Sequence, residues 1–279
     1  MASTRFTKIG GSYTEVLITG NLTKTHVINT GISRTQLTNV TIGTAVTSIG
    51  DNAFEGYGAL SLATIGINVT SLGDSAFESC NSLVHVIIPN NVTHVYIDAF
   101  RNCLGLKSVI IGTSTTHINN SVFNGCEILE SITFPNSVTY IGDNVFRNCY
   151  RLDNMNFNGP LTNAEIGNTI FLNILPNNTR TFRFNTDDST QINPSLLDQI
   201  KLITVNDTVS IVGPQIFILP PPTTDISNGT QLLNFLTTDA EYGNINNNTI
   251  IVTENLINTS NILKILMNNT IALISITKN

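Results

Sequence analysis

Five phenylalanines stand at one constant interval along the chain: Phe54, Phe77, Phe100, Phe123 and Phe146. A period of this length constrains the chain more than any other feature, because self-similarity over roughly 20–50 residues is the signature of repeat architectures. The period is carried by many columns. Three residues after each Phe come Tyr57, Cys80, Cys103, Cys126 and Cys149, and six after come Leu60, Leu83, Leu106, Leu129 and Leu152. A β-strand column follows at Ala63, Val86, Val109, Ile132 and Met155, with Val40 one period upstream. A second apolar pair recurs as Val46/Ile49, Val69/Leu72, Val92/Val95, Thr115/Ile118 and Val138/Ile141.

The spacing within one repeat predicts its local structure. Val86 and Ile88 alternate about Ile87, the period-2 pattern of a short strand. Val92 and Val95 bracket a polar step that reads as a second extended segment. Phe77, Cys80 and Leu83 are spaced by three, as in a helical or 3₁₀ turn. Gly50-Asp51, Gly73-Asp74 and Gly142-Asp143 precede that turn, where Asp can cap exposed N–H groups. One such unit cannot bury its apolar side alone, so the units must stack into a solenoid with one continuous core.

The recurring motif L-x-x-V-x-I-[PG]-x-x-V-T-x-I-G-D-x-A-F-x-x-C resembles the BspA-like, or treponemal-type, leucine-rich repeat. Residues 82–93 and 141–149 carry it most fully. The resemblance is plain from Leu37 to Phe157 and continues as a decayed echo to Phe184. It implies a right-handed leucine-rich-repeat solenoid, mostly β with short helical turns, that binds through its surface and has no catalytic centre. Members of that family are often exposed on bacterial or protist surfaces and linked to adhesion, and similar repeats occur in giant viruses.

Three regions are expected. Residues 1–36 form an N-terminal cap, with strand-like stretches at Thr14–Gly20 and Thr25–Asn29. Residues 37–186 form the repeats. They end in a stretched turn, in which Ile166–Phe171 echoes Ile141–Phe146 slightly more than one period later, and a last strand at Thr181–Phe184. Residues 187–279 lose the period and read as a small α/β or α+β domain. Its expected elements are a helix at Pro194–Leu202, strands at Thr208–Val212, Gln215–Leu219, Thr249–Thr253 and Thr270–Ile276, and helices at Thr230–Thr237 and Ser260–Met267.

Candidate chemistry is sparse. Cys80, Cys103, Cys126 and Cys149 fall in one column and read as a ladder of reduced, buried thiols, although rungs about 4.8 Å apart also lie near disulfide reach. His94 and His117 stand one period apart, with Tyr140 next in their column. Beside them runs an unbroken threonine column, Thr47, Thr70, Thr93, Thr116 and Thr139, read as cross-strand pairing rather than as part of a metal site, for which a third ligand is missing. No phosphate-binding glycine loop, nucleophile elbow or His/carboxylate motif is present. The expectation is therefore a non-enzymatic chain with no cofactor and no metal.

Charge sets further bounds. Only 11% of residues are charged and the net charge is -6, which argues against nucleic acid, since such binding rests on neutralising phosphates. No apolar run reaches the 18 or more residues of a membrane span, and residues 1–7 lack the apolar core of a signal peptide. A cytoplasmic or virion-associated address is expected ahead of secretion. The outward columns of the main strand hold no charge, and Leu62, Ile87 and Ile110 stand among His85, Ser108, Ser131 and Thr133. An apolar patch with a polar border marks an interface. This face is expected to bind a protein partner or a second copy of the chain, giving a homo-oligomer. The alternatives are a structural component of a large assembly such as a giant-virus particle, a surface adhesin, or an enzyme whose site lies in the C-terminal domain. A competing expectation for the face is that residues 187–279 fold over it.

Overall fold

A computed structural model describes residues 3–159, 161–174, 181–185, 192–203, 211–212, 249–252 and 273–276. The chain divides into two compact units, Met1–Gly213 and Pro214–Asn279.

The first unit is a mostly β solenoid. Each turn contributes one strand to a main sheet and one to a second sheet. In the main sheet the strands His85–Ile87, Ser108–Ile110, Ser131–Phe134, Asn154–Phe157, Thr181–Asn185 and Ile211–Val212 lie side by side in chain order, all parallel. The 23-residue period is the pairing register itself, since Ser108 faces His85 on one side and Ser131 on the other. Leu37–Thr41 and Leu62–Thr64 pair in the same way in a four-stranded N-terminal portion. The second sheet has seven parallel strands, from Gly20–Leu22 and Val46–Ile49 through Ser71–Leu72, His94–Val95, His117–Ile118 and Tyr140–Ile141 to Glu165–Ile166.

The spacing-of-three segment forms a third ladder. Within it, i→i−3 bonds such as Cys80 N–H to Phe77 O alternate with bonds to the next turn, such as Phe77 N–H to Ala99 O at 2.8 Å. Two residues per turn adopt left-handed backbone to allow this alternation. Asn52, Ser75, Asp98, Ser121 and Asn144 form one such column, and Gly56, Ser79, Asn102, Gly125 and Asn148 the other. Seven of the ten are Asn, Asp or Gly, the types that tolerate positive φ, and Ser75, Ser79 and Ser121 adopt it within the same ladder.

The core lies between the ladders. Phe54, Phe77, Phe100, Phe123, Phe146 and Phe171 are buried and stack in series with centroids 5.1, 5.3, 5.7, 5.9 and 5.7 Å apart. A shorter column, Phe134, Phe157 and Phe184, stacks at 4.9 and 4.6 Å. Phe171 thus keeps its place although its turn is lengthened, as the step from Asp143 to its counterpart Asn168 shows.

The N-terminal end differs from expectation. Thr25–Asn29 is not a strand, because Lys24–Ile28 forms a short helix. Thr23 caps it: its side chain accepts the His26 N–H, and its own N–H donates to His26 Nδ1 at 3.1 Å, a reciprocal capping box. An additional strand, Thr4–Lys8, runs antiparallel to Leu37–Thr41 and to Tyr13–Val16, and seats Phe6 beneath Phe54 at 6.5 Å. It covers an edge that would otherwise template further pairing.

At the other end the helix Pro194–Ile203 lies in the same compact unit as the repeats. Its Gln199 donates to Gly167 O at 2.6 Å and accepts the Ile170 N–H at 3.0 Å. Asn193 accepts the Leu196 N–H at 3.2 Å and donates to Ala164 O at 2.8 Å. Leu196, Ile200 and Ile203 are buried. In the second unit, Thr249–Val252 and Leu273–Ile276 pair in parallel. The expected strand at Gln215–Leu219 and helices at Thr230–Thr237 and Ser260–Met267 lie outside the described residues.

The aromatic column generates a stability prediction. Replacing the central ring, Phe100→Ala, should lower the free energy of unfolding by about 3–5 kcal/mol. Guanidinium unfolding followed by circular dichroism measures it, and a loss near zero would mean that the stacked rings contribute little.

Candidate functional site

The uncharged face of the main sheet is less open than its alternation suggests. Leu62, Ile87 and Ile110 are half-buried, while His85, Ser108, Ser131 and Thr133 are buried at 9%, 4%, 8% and 7% exposure. Neighbouring side chains account for part of this. His85 Nδ1 lies 2.8 Å from Ser108 Oγ on the adjacent strand, so the imidazole covers the shorter side chain. Burial, followed by the Lys107 charge, lowers the His85 pKa and favours the neutral ring. The exposed margin lies at Thr64, with Asn39, Thr41, Asn154 and Asn156 half-buried. Most of residues 187–279, expected in one reading to fold over this face, lie outside the described residues.

The second sheet carries an aromatic column. His94 and His117 stack with centroids 4.5 Å apart; Tyr96 lies against His94 at 5.8 Å and Tyr140 against His117 at 5.7 Å. The threonine column beside them is a hydrogen-bonded ladder. Thr70, Thr93, Thr116 and Thr139 each donate Oγ1–H to the carbonyl of the threonine one turn earlier, at 3.1–3.2 Å. Thr93 and Thr116 also meet the Nδ1 atoms of His94 and His117, each at 2.9 Å.

The Asp residues before each turn act differently from caps on their own turn. Asp51 accepts the Asp74 N–H, Asp74 the Ile97 N–H, Asn120 the Asp143 N–H and Asp143 the Asn168 N–H, at 2.8–3.0 Å. Each carboxylate or amide thus pins the next turn. At two turns the preceding residue is held to glycine, because a Cβ at Gly73 would meet Asp51 N at 2.7 Å and one at Gly142 would meet Asn120 N at 2.6 Å. Tyr96 and Ile97 replace Gly and Asp at one turn and are exposed at 41% and 46%. A shallow groove of ≈ 300 Å³ ends against Tyr96, lined also by Asn21, Ser48, Asp51, Ser71 and Asp74. It forms because serine and glycine occupy, in the earlier turns, the columns that His94 and Tyr96 fill. Sequence reasoning missed this step, although the substitution in the column was visible.

The cysteine column is structural in its bonding. All four thiols are free and buried. Each Sγ–H donates to the carbonyl of a phenylalanine in the preceding turn: Cys80 to Phe54, Cys103 to Phe77 and Cys126 to Phe100 at 3.2 Å, and Cys149 to Phe123 at 3.1 Å. Burial pushes the Cys103 thiol up to about 12 and raises the other three as well.

Residues 32–130 and 116–219 match the BspA type Leucine rich repeat region in six copies. The chain belongs to the BspA-type leucine-rich-repeat family. Its fold is similar to that of the Leucine Rich Repeat protein of T. pallidum, with 21% identity over 59% of this chain and 69% of that one, and a TM-score of 0.44. It is also similar to a leucine rich cell surface protein of Faecalibacterium prausnitzii, with 24% identity over 56% of this chain and 38% of that one, TM-score 0.37. A third similar structure is a leucine-rich repeat protein from Bacteroides ovatus, with 19% identity over 63% of each chain, TM-score 0.31. No curated protein matches the sequence. Among the described residues, no helix is long and apolar enough to cross a membrane, and no group of three or more His, Cys, Asp and Glu side chains could hold a metal.

The thiol ladder fixes a sign for stability against pH. A pKa raised by folding contributes stability that is complete below the unfolded value, near 8.5, and is lost as pH rises toward the folded value of about 12 for Cys103. Unfolding free energy should therefore fall between about pH 8.5 and 12, and fall less steeply in Cys103→Ala. Guanidinium titrations at stepped pH measure this difference. Equal slopes would show that thiol burial is not linked to folding.

Proposed function

We propose that this BspA-type repeat chain is a non-enzymatic module for protein–protein interaction or assembly, and that its contact surface is the uncharged face of the main sheet. The observation that carries the reading is the pairing of Ile87 with Ile110. The two lie in register on adjacent strands, are half-buried rather than buried, and belong to a column that is uncharged from Thr41 to Asn156, with Arg5 and Arg183 paired at its two ends. β-branched apolar groups held on a rigid ladder lose little conformational entropy when covered, which favours association. One turn toward the N-terminus, the column of Ile87 holds the exposed Thr64, and Leu62 stands beside it in the column of His85. The buried His85, Ser108, Ser131 and Thr133 would then shape and support the strip rather than supply its contact area. The strand Thr4–Lys8 pairs along the edge of Leu37–Thr41, which leaves the face rather than that edge for a partner.

Light scattering on the full chain after size exclusion, together with crosslinking to partners from its source, tests this reading. The double variant Ile87→Asp/Ile110→Asp should return any assembly to the monomer mass of 30.2 kDa and remove the crosslinked partner. An unchanged assembly mass and unchanged crosslinks would place the contact elsewhere.

A further inference from the structure

The strand that shields one edge of the N-terminal sheet hands the open edge on to its neighbour. Tyr13–Val16 is outermost in that sheet, paired with Thr4–Lys8 on one side and with no strand among the described residues on the other. The direction of its backbone groups follows from one bond. Lys8 N–H donates to Ser12 O at 2.9 Å, which makes Lys8 and Ser12 a bonded pair of the antiparallel ladder. Bonded and non-bonded pairs alternate, so Phe6 with Thr14 and Thr4 with Val16 are bonded as well. Tyr13 and Glu15 fall between them and turn their N–H and C=O groups to the open side. The inner strand agrees, because its Ile9 N–H crosses the other way, to Gln36 O.

The open backbone groups stand beside exposed apolar side chains. Tyr13 and Leu17 are exposed at 58% and 66%, and Ile9, in the turn before the strand, at 64%. Proteins commonly blunt such an edge with lysine, proline or an unpaired charge. The strand holds no lysine and no proline. Its one charge, Glu15, is neutralised by Arg5 at 2.6 Å, and the same guanidinium lies over the Tyr13 ring at 4.5 Å.

We propose that Tyr13–Val16 is a self-association edge, to which a second copy of this chain adds its own Tyr13–Val16, antiparallel about a two-fold axis. Charge and backbone direction together select the register. Because Tyr13 and Glu15 carry the outward groups, the axis can pass between two Glu15, between two Tyr13, or between two Thr14. The first sets two carboxylates directly opposite each other, which is unfavourable. The second leaves Glu15 beyond the strand of the second copy. The third pairs Tyr13 with Glu15 of the second copy and Glu15 with its Tyr13, so every outward group of both strands is bonded. It also sets Thr14 against Thr14 on the axis, a favourable cross-strand pair. Carried two residues further, this register places Leu17 opposite Gly11 of the second copy, where no side chain obstructs it, and diagonal to the exposed Tyr13 there. A two-fold pair consumes both edges, so association stops at the dimer. The contact uses neither Ile87 nor Ile110 and is independent of the main-sheet face.

Sedimentation equilibrium of the full chain from about 5 to 500 μM tests the proposal. Four residues a side bury far less than the roughly 800 Å² per partner of a standard interface, so a dissociation constant on the order of 100 μM is expected. The mass should rise from 30.2 kDa toward twice that value. Tyr13→Pro removes an outward N–H and no bond to Thr4–Lys8, and should weaken the dimer at least about tenfold. Thr14→Cys sits on the axis in a non-bonded pair with Cα atoms about 4.5 Å apart, and should crosslink under copper–phenanthroline oxidation. Glu15→Cys, about 7–8 Å from its own counterpart, should not. The four native thiols are buried and give no background. Circular dichroism verifies that each variant is folded. Ile87→Asp/Ile110→Asp should dimerise as the unaltered chain does. A dimer this weak dissociates on column dilution, so light scattering after size exclusion reads the main-sheet face alone. A monomer mass at the highest concentration, the result expected if the edge instead takes an extended peptide of another protein, overturns the proposal. So does full affinity in folded Tyr13→Pro, crosslinking at Glu15→Cys in place of Thr14→Cys, or loss of the dimer in Ile87→Asp/Ile110→Asp.

Discussion

Everything in the solenoid depends on backbone groups of one turn bonding to the turn beside it in a constant register. Three ladders do this at once: the main sheet, the second sheet, and the turns with their paired left-handed residues. Once all three share the same offset, each side chain must sit against its own counterpart. Like therefore stacks on like, and the columns become chains of a single interaction repeated: phenylalanine rings, threonine hydroxyls on carbonyls, cysteine thiols on carbonyls, and Asp or Asn on the next N–H. The low charge of the molecule follows in part from the same constraint. Identical charges about 4.8 Å apart on successive strands would repel along the whole length, while Thr, Ser and Asn can pass hydrogen bonds down a column. The enrichment of residues 214–279 in Asn, Thr and Ile has no such explanation.

The repeats were legible in the sequence because their energetics are local to one period. Phe100, Cys103, Leu106 and Val109 declare a turn by spacing alone, and even the stretched turn ending at Phe171 and the strand Thr181–Asn185 could be read from it. What was illegible depends on partners far away in sequence or on geometry within a column. Thr4–Lys8 shows no period and becomes a strand only because Leu37–Thr41 presents an edge. Lys24–Ile28 holds β-branched residues that suggest a strand, and the reciprocal Thr23–His26 cap overrides them. On the candidate face, alternation tells which side chains point outward but not how far His85 shades Ser108. The left-handed columns were present as Asn, Ser, Asp and Gly at fixed spacing, yet they are hard to see in a chain with 38 Asn and 19 Gly.

Departures from a column are where individual turns acquire character. Tyr57 stands where later turns have cysteine and lies edge-on to Phe54. Thr115 replaces valine in the core and remains buried because its hydroxyl donates to Val92 O at 2.9 Å. Tyr96 and Ile97 interrupt the Gly-Asp columns, end the groove and begin the aromatic column. The membership of the BspA-type family thus describes the frame, whereas these interruptions distinguish one member's surface from another's.

The stretched turn has an evolutionary reading. Its extra length falls after Phe157 and before Glu165, in the corner that joins the two sheets, and both Glu165–Ile166 and Phe171 return to register beyond it. Length is therefore elastic at that corner, and again before Thr181, which pairs with Asn154 at an offset of 27 residues, while it is quantised at 23 across the central turns. A lineage carrying this frame can add or delete whole turns by duplication without disturbing either end, and can vary single residues only where a corner absorbs them. Such a molecule behaves as a ruler with fixed graduations along its middle and adjustable joints toward its ends.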